Sequence, residues 1–261
     1  MLVPLLVAAL QVPTAAVDSR ASEHLRYGAA GYGNPGTTLV LREGFACLHD
    51  SARKSPLWVS HRLNRAYAAK NVERASSSAW KADPLLPFGY RAELTDYRYT
   101  GWERGHLAPA EDMRRSRNVQ LDSFLLSNSV PQNSSNNSGA WNSLEAIVRA
   151  YASTGDLIVI SGPVYSRAFA DGTLQVSLTK PQGIPVPSWL FKVVVRESGQ
   201  GDPQILAFLV ENRPLPGFQP TRHLVSVRDV ERYTGLNFLN ALPTKVQDRI
   251  EKTAASELWA R

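Results

Sequence analysis

Two blocks decide the reading of this chain: DYRYTGWERGHLAPAEDM at residues 96–113 and SFLLSNSVPQNSSNNSGAWNSLEAIVR at residues 123–149. Arg104 and His106 are two residues apart, so they share one face of an extended strand. Gly105 between them lets another segment come close. Asn128 ends a predicted strand. Asn136 and Asn137 stand at the mouth of a predicted helix opening at Trp141, and Glu145 follows inside it. A helix mouth with amide oxygens, near a carboxylate, an imidazole and a guanidinium, suits a phosphate and a hard cation. It suits zinc poorly, because one histidine and no cysteine are too few soft ligands. A magnesium ion on one neutral oxygen would keep most of its waters, as suits an ion that also holds a substrate phosphate.

Outward from these blocks the chain alternates strands and helices. Leu57–Arg62 reads as a strand. Phe124–Val130 reads as a short strand before a turn, and Leu157–Ile160 as a strand stopped by Ser-Gly-Pro. Trp189–Arg196 and Gln204–Val210 form a predicted hairpin about a Gly-Gln-Gly-Asp-Pro turn. Trp141–Ala152 carries a helical apolar stripe at 141, 144, 147, 148 and 151. Ser226-Val-Arg-Asp229 is a capping box for a helix stopping near Gly235. Leu242-Pro-Thr-Lys opens a last helix predicted to reach Trp259. Without strict βαβ spacing, the expected class is α+β, with a mostly antiparallel central sheet flanked by helices.

The 261 residues are 43% hydrophobic and 20% charged, enough apolar material for a core. Lys+Arg 29 against Asp+Glu 23 leaves +6, which permits a polyanionic partner without requiring one. The single cysteine, Cys47, excludes an internal disulfide framework and a Cys-rich zinc site, and reads as a buried small hydrophobe. The five histidines contain no HxH or HExxH pair. There is no 18-residue apolar run in the body of the chain, and no G-x-S-x-G or Walker A loop. Residues 1–22 read as a leader: Met1–Leu10 is almost wholly apolar and Thr14-Ala-Ala16 offers a cleavage site, although no basic residue precedes the apolar run. The expectation is a secreted or periplasmic protein with one domain over 23–261; a mitochondrial transit peptide fits worse, because arginine is scarce there.

The two blocks resemble the DNA/RNA non-specific endonucleases of the ββα-metal, or His-Me finger, class, and most nearly the endonuclease G branch. The family's D-R-G-H is similar to Glu103-Arg104-Gly105-His106. Its S-N-x-x-P-Q run, Asn, small residue with Trp, and L-E are matched by Ser127-Asn128-Ser-Val-Pro131-Gln132, Asn137, Gly139-Ala-Trp141 and Leu144-Glu145. Weaker matches at Ser161-Gly162-Pro163 and Pro187–Val193 extend the resemblance over roughly residues 40–240. It implies a Mg²⁺-dependent endonuclease, with Mn²⁺ as the alternative ion. Such an enzyme cuts DNA and RNA to 5′-phosphate and 3′-hydroxyl ends, and relatives often form homodimers. It implies His106 as general base, Asn137 as the metal ligand and Arg104 on a phosphate oxygen. Asn128 would orient the site around the histidine, and Glu145 would reach the ion through water.

Two positions depart from the pattern. Glu103 replaces the family's Asp. An upstream phosphate-binding arginine has Arg74 as candidate, although a tight alignment puts Ser78 in its place. Arg114, Arg115 and Arg117 read alone as a solvated face; beside a phosphate site they are the expected edge for substrate backbone. Trp102 is core or a base-stacking platform, core being the simpler reading. The alternative to the enzyme is a non-catalytic nucleic-acid-binding protein on the same fold; a third reading is a secreted partner-binding module.

Overall fold

A computed structural model describes residues 22–260 except 170, 175–176, 181–182 and 200. Residues 1–21, nearly all of the segment read as a leader, therefore lie outside the described residues. In chain order the first strands are β1 (Thr37–Leu41), β2 (Ala46–Asp50), β3 (Ser55–Leu63), β4 (Glu103–His106), β5 (Ser129–Gln132) and β6 (Leu157–Val164). They are followed by β7 (Ser177–Leu178), β8 (Pro185–Val186), β9 (Trp189–Arg196), β10 (Gln204–Glu211) and β11 (Leu224–Val225). The helices are α1 (Leu94–Tyr97), α2 (Arg117–Ser123), α3 (Asn142–Tyr151), α4 (Val227–Thr234) and α5 (Thr244–Ile250). Strands β1-β2-β3-β6-β9-β10-β11 form a seven-stranded sheet in that order, each pairing antiparallel. The expected α+β class with an antiparallel central sheet is what forms. Among the described residues no helix is long and apolar enough to cross a membrane.

The period-two pattern of the central strands feeds two cores. Val59, Leu63, Leu157, Val159, Leu190 and Val194 pack with Leu144 and Val148 of α3 on one face. Trp58, Ile158, Ile160, Phe191, Val193 and Val195 pack with Val227 and Val230 of α4 on the other. Cys47 is a buried free thiol, pushed up by burial. The hairpin β9–β10 runs Trp189↔Glu211 to Arg196↔Gln204. The box at Ser226 forms as read, and α4 ends on Gly235 with φ 70°, a left-handed conformation that favours glycine.

Three predicted elements differ. The run Phe124–Val130 is not a strand: α2 caps at Phe124, a short 3₁₀ turn covers Leu126–Asn128, and β5 begins at Ser129. Strand β6 runs through Ser-Gly-Pro to Val164 rather than stopping at Ile160. Pairing with β3 ends at Ser161, while pairing with β9 continues to Val164. Pro163 therefore lacks a donor only where none is needed. The last helix stops at Ile250, not Trp259. The carbonyl of Glu251 accepts from the Arg228 N–H, and its buried carboxylate meets the Arg228 guanidinium at 2.9 Å.

His24 fixes the entry of the described chain against β3. Its Nε2 lies 3.0 Å from the Glu43 carbonyl, and its Nδ1 accepts from the Arg62 N–H at 3.0 Å. This pairing needs the neutral ring, and burial holds His24 down at about 4. The free imidazole of the unfolded chain protonates near 6.5. The stabilisation is therefore complete above pH 6.5 and is lost as pH falls toward 4. It amounts to about 3 kcal/mol over that window. His24→Gln should accordingly be less stable than wild type at pH 7, with the gap closing by pH 4.5 in chemical denaturation. A gap that stays constant would mean that His24 is charged in the fold.

Candidate active site

Strands β4 and β5 form a small ribbon in which Glu103 pairs with Gln132, Arg104 with Pro131, Gly105 with Val130 and His106 with Ser129. A Cβ on Gly105 would lie 1.9 Å from Gln132 Oε1, so close approach requires glycine here. Gln132 donates to Asn136 Oδ1 at 2.7 Å, and Asn136 donates to the Glu211 carbonyl at 2.7 Å. Asn136 is thereby consumed as a buried strut between ribbon and sheet.

The opposite face of β4 carries the chemistry. Trp80 is brought there by an isolated bridge between Lys81 and Leu125. Its ring lies 4.5 Å from that of His106, and Phe124 meets His106 edge-on at 5.0 Å. Trp141 Nε1 donates to the His106 carbonyl at 3.2 Å. His106 Nε2 is shielded from solvent and has no protein partner among the described residues. Burial first, then Arg74 and Arg104, pushes the imidazole down to about 3. It is therefore neutral across physiological pH and free to accept a proton. Arg104 lies over Trp80 at 5.5 Å and meets no carboxylate among the described residues. Arg74 reaches Glu111 Oε1 at 3.8 Å and the Phe124 ring at 5.6 Å.

Arg74, Arg104, His106 and Asn137 line one cleft of about 530 Å³, together with Arg98 and Trp102. An adjoining cavity of about 390 Å³ also takes in Arg74, His106 and Asn137, and adds Glu111 and Glu145. The residues Asn136–Trp141 wind as a π-helical turn before α3. Such a turn rotates less per residue than an α-helix. Asn137 and Glu145, about 80° apart on an ideal α-helix, thus face the same cavity. Asn137 Nδ2 donates to Glu103 Oε2 at 2.8 Å. That bond spends the amide nitrogen and leaves Oδ1 without a protein donor. Burial pushes the Glu145 carboxyl up, against the pull of Lys192.

This donor set fits a hydrated hard cation and little else. Among the described residues no three His, Cys, Asp or Glu side chains gather as a metal cage. Asn137 Oδ1 is the neutral oxygen free to bind, with Glu145 and Glu111 in the same cavity. A magnesium-like ion that keeps its waters matches this set.

Other expected residues are not in the cleft. Asn128 is fully buried: Oδ1 accepts from the Ala108 N–H, and Nδ2 donates to the Ala108 and Ser123 carbonyls, all at 2.9 Å. It precedes β5 rather than ending a strand, and it staples the chain leaving His106 without touching the imidazole. Arg114 donates to the Val72 carbonyl and meets Glu111 and Glu73. Arg115 donates to the Glu43 carbonyl and covers the Tyr67 ring at 4.6 Å. Arg117 is exposed at the start of α2. None of these three lines the cleft. Their common cause is the turn after Met113, which leads the chain away from β4. The residues missed in the sequence are Trp80, Phe124 and Arg98; only the non-local bridge at Lys81 and Leu125 reveals the first two.

The profile of the DNA/RNA non-specific endonucleases matches residues 21–245. The chain belongs to this family. Among curated relatives, the mitochondrial nuclease EXOG of Xenopus laevis is 36% identical over 81% of this chain and 61% of its own length. Bovine mitochondrial endonuclease G is 33% identical over 80% of this chain and 72% of its own. The chain thus spans about three fifths of the length of its EXOG relatives. A crystal structure of EndoG bound to EndoGI superposes with a TM-score of 0.76 at 28% identity, over 88% of this chain and 95% of that one. The expectation of a secreted or periplasmic protein is corrected by these relatives: EXOG, endonuclease G and the mitochondrial nuclease of Saccharomyces cerevisiae all carry a mitochondrial name.

Proposed function

We propose that this family member is a Mg²⁺-dependent endonuclease that hydrolyses DNA and RNA without regard to the sugar, leaving 5′-phosphate and 3′-hydroxyl ends. The observation that carries the reading is a neutral, partnerless imidazole, an uncommitted guanidinium and a free amide oxygen converging on one cleft. His106 takes the proton of the attacking water. Arg104 and Arg74 hold phosphate oxygens, and their placement explains weak sequence preference, since phosphate contacts position rather than specify. Asn137 Oδ1 would hold the cation, with Glu103 fixing the amide through its nitrogen. Glu145, which lines the same cavity, would support the ion through water. When bound, the ion neutralises charge at the phosphate and at the leaving 3′ oxygen.

The test is metal-dependent nicking of supercoiled plasmid beside hydrolysis of an RNA of mixed sequence, with the ends typed enzymatically. Products ending in 3′-phosphate, or activity that survives chelation, would overturn the mechanism. Binding without nicking would favour the non-catalytic nucleic-acid-binding alternative. Asn137→Ala should raise the half-saturating Mg²⁺ concentration by about 10- to 100-fold while leaving DNA affinity within twofold, as for loss of a metal-site group. Glu103→Gln, which keeps the amide's neighbour but not its charge, should shift the same titration less. An unmoved Mg²⁺ titration in Asn137→Ala would place the ion elsewhere.

A further inference from the structure

Trp102, just before β4, lines the cleft together with Glu103, Arg104 and His106 of that strand. Arg104 and His106 have tasks in the nuclease reading; Trp102 has none. It also differs from the other tryptophans. Trp58, Trp141 and Trp189 each donate the indole N–H to a carbonyl. Trp80 stacks with His106 and Arg104, and Trp259 packs on Tyr151 and Arg196. Trp102 is half-buried and, among the described residues, has neither a ring partner nor an indole hydrogen bond. The reading of Trp102 as core therefore does not hold.

Its backbone is nevertheless anchored. The Trp102 N–H donates to Thr100 Oγ1 at 3.2 Å, and that hydroxyl donates to the Tyr97 carbonyl at 2.8 Å. The Tyr97 hydroxyl meets Ser129 Oγ at 3.2 Å, opposite His106. The platform is thus tied to the same ribbon as the imidazole. Around it the cleft offers Arg98 and Arg104 as cations and Leu94 as an apolar wall. An aromatic ring sharing a cleft with guanidinium groups fits a planar base whose flanking phosphates meet the arginines.

We propose that Trp102 is a base-stacking platform for one unpaired nucleobase beside the scissile phosphate. This inference rests on the nuclease reading above. Single-stranded or frayed nucleic acid then binds better than intact duplex, because a base within a duplex is already stacked and must be freed first. Stacking on one aromatic ring is worth roughly 5- to 150-fold in affinity.

The experiment measures binding of the full chain, in chelator so that the oligonucleotide stays intact, to labelled oligothymidylate and to a blunt duplex of equal length. Trp102→Leu fills the space without a π face and should weaken single-strand binding about tenfold, within the stacking range, while duplex binding changes less than twofold. The salt slope should stay unchanged, since no charge is removed. Trp102→Phe should recover part of the loss, and Tyr99→Ala, an exposed aromatic outside the cleft, should behave as wild type. An abasic residue scanned along the oligonucleotide should weaken wild type at one position and leave Trp102→Leu indifferent there. Equal losses on both substrates, or Trp102→Leu binding single strands as wild type does, would overturn the platform. If wild type neither binds nucleic acid nor nicks plasmid, the nuclease reading itself fails; if it nicks and Trp102→Leu binds normally, only the platform does.

Discussion

His106→Ala should cut turnover by about 10²–10⁴, the usual cost of losing a general base, while affinity for DNA in chelator stays within threefold. The separation follows from the geometry. Arg74 and Arg104, the groups proposed to hold phosphate, are attached to other positions, and Trp141 grips the backbone carbonyl of His106, not its ring. The carbonyl contact survives the substitution, so the ribbon keeps its place. In wild type, the acid limb of kcat/KM should lie well below the ordinary histidine value of about 6.5, because burial and two guanidinium groups hold the ring at about 3. A steep loss of kcat/KM centred near pH 6.5 would assign the base to a solvated histidine. Turnover of His106→Ala within threefold of wild type would remove the general-base role.

Asp112→Ala should be the most destabilising single change on the α3 side of the sheet. The Asp112 carboxylate sits between the buried His61, at 3.3 Å from Nε2, and the Arg149 guanidinium of α3. His61 stands on β3, on the sheet face that also presents Lys192, whose Nζ donates to Ser161 Oγ at 2.7 Å. Burial alone would raise the Asp112 carboxyl, yet its bonds to His61 and Arg149 hold it below the usual range. Removing it strands the buried imidazole and takes the carboxylate from a guanidinium that is only partly exposed. Breaking one partner of such a pair typically costs about 3–5 kcal/mol, and a chain of this size then melts roughly 10 °C lower. Asp112→Asn, which can still accept from Arg149, should lose less. Calorimetry of both variants checks the order; equal, small shifts would mean that the interior charges rearrange freely.

The parts of the fold carried by local chemistry were legible. The hairpin of β9 and β10 follows from two β-rich runs about a Gly-Gln-Gly-Asp-Pro turn, and α4 from its capping box and terminal glycine. Elements whose limits depend on distant partners were not. Strand β6 outlasts its proline because β3 has already parted from it. Helix α5 ends where Arg228 claims the carbonyl of Glu251. The same division holds at the cleft. The i, i+2 relation of Arg104 and His106 could be read from spacing, and Arg74 lies where an upstream arginine was sought. The arginines after Met113 could not be placed, because proximity in sequence says nothing about which carbonyls would capture them. Asn136 and Asn137, equivalent as letters, are told apart only by the register that turns one into the ribbon and the other toward Glu103.

The wide turn over Asn136–Trp141 lets this segment carry one residue more than an ordinary helix without turning Asn137 away from the cleft. A π-helical turn differs from an α-helical one by a single extra residue per bond closed. Deleting Gly139, which is exposed and would meet nothing within 4 Å even with a Cβ added, would let α3 continue upstream as an ordinary helix. Asn137 and Glu145 would then be seven residues apart, about 20° on such a helix, so the loss of the residue and the loss of the wide turn would offset each other and the Asn137 amide would still face the cavity. Homologues one residue shorter in this segment that wind it as an ordinary helix would therefore be expected to present the same amide, a correspondence that counting positions alone does not register.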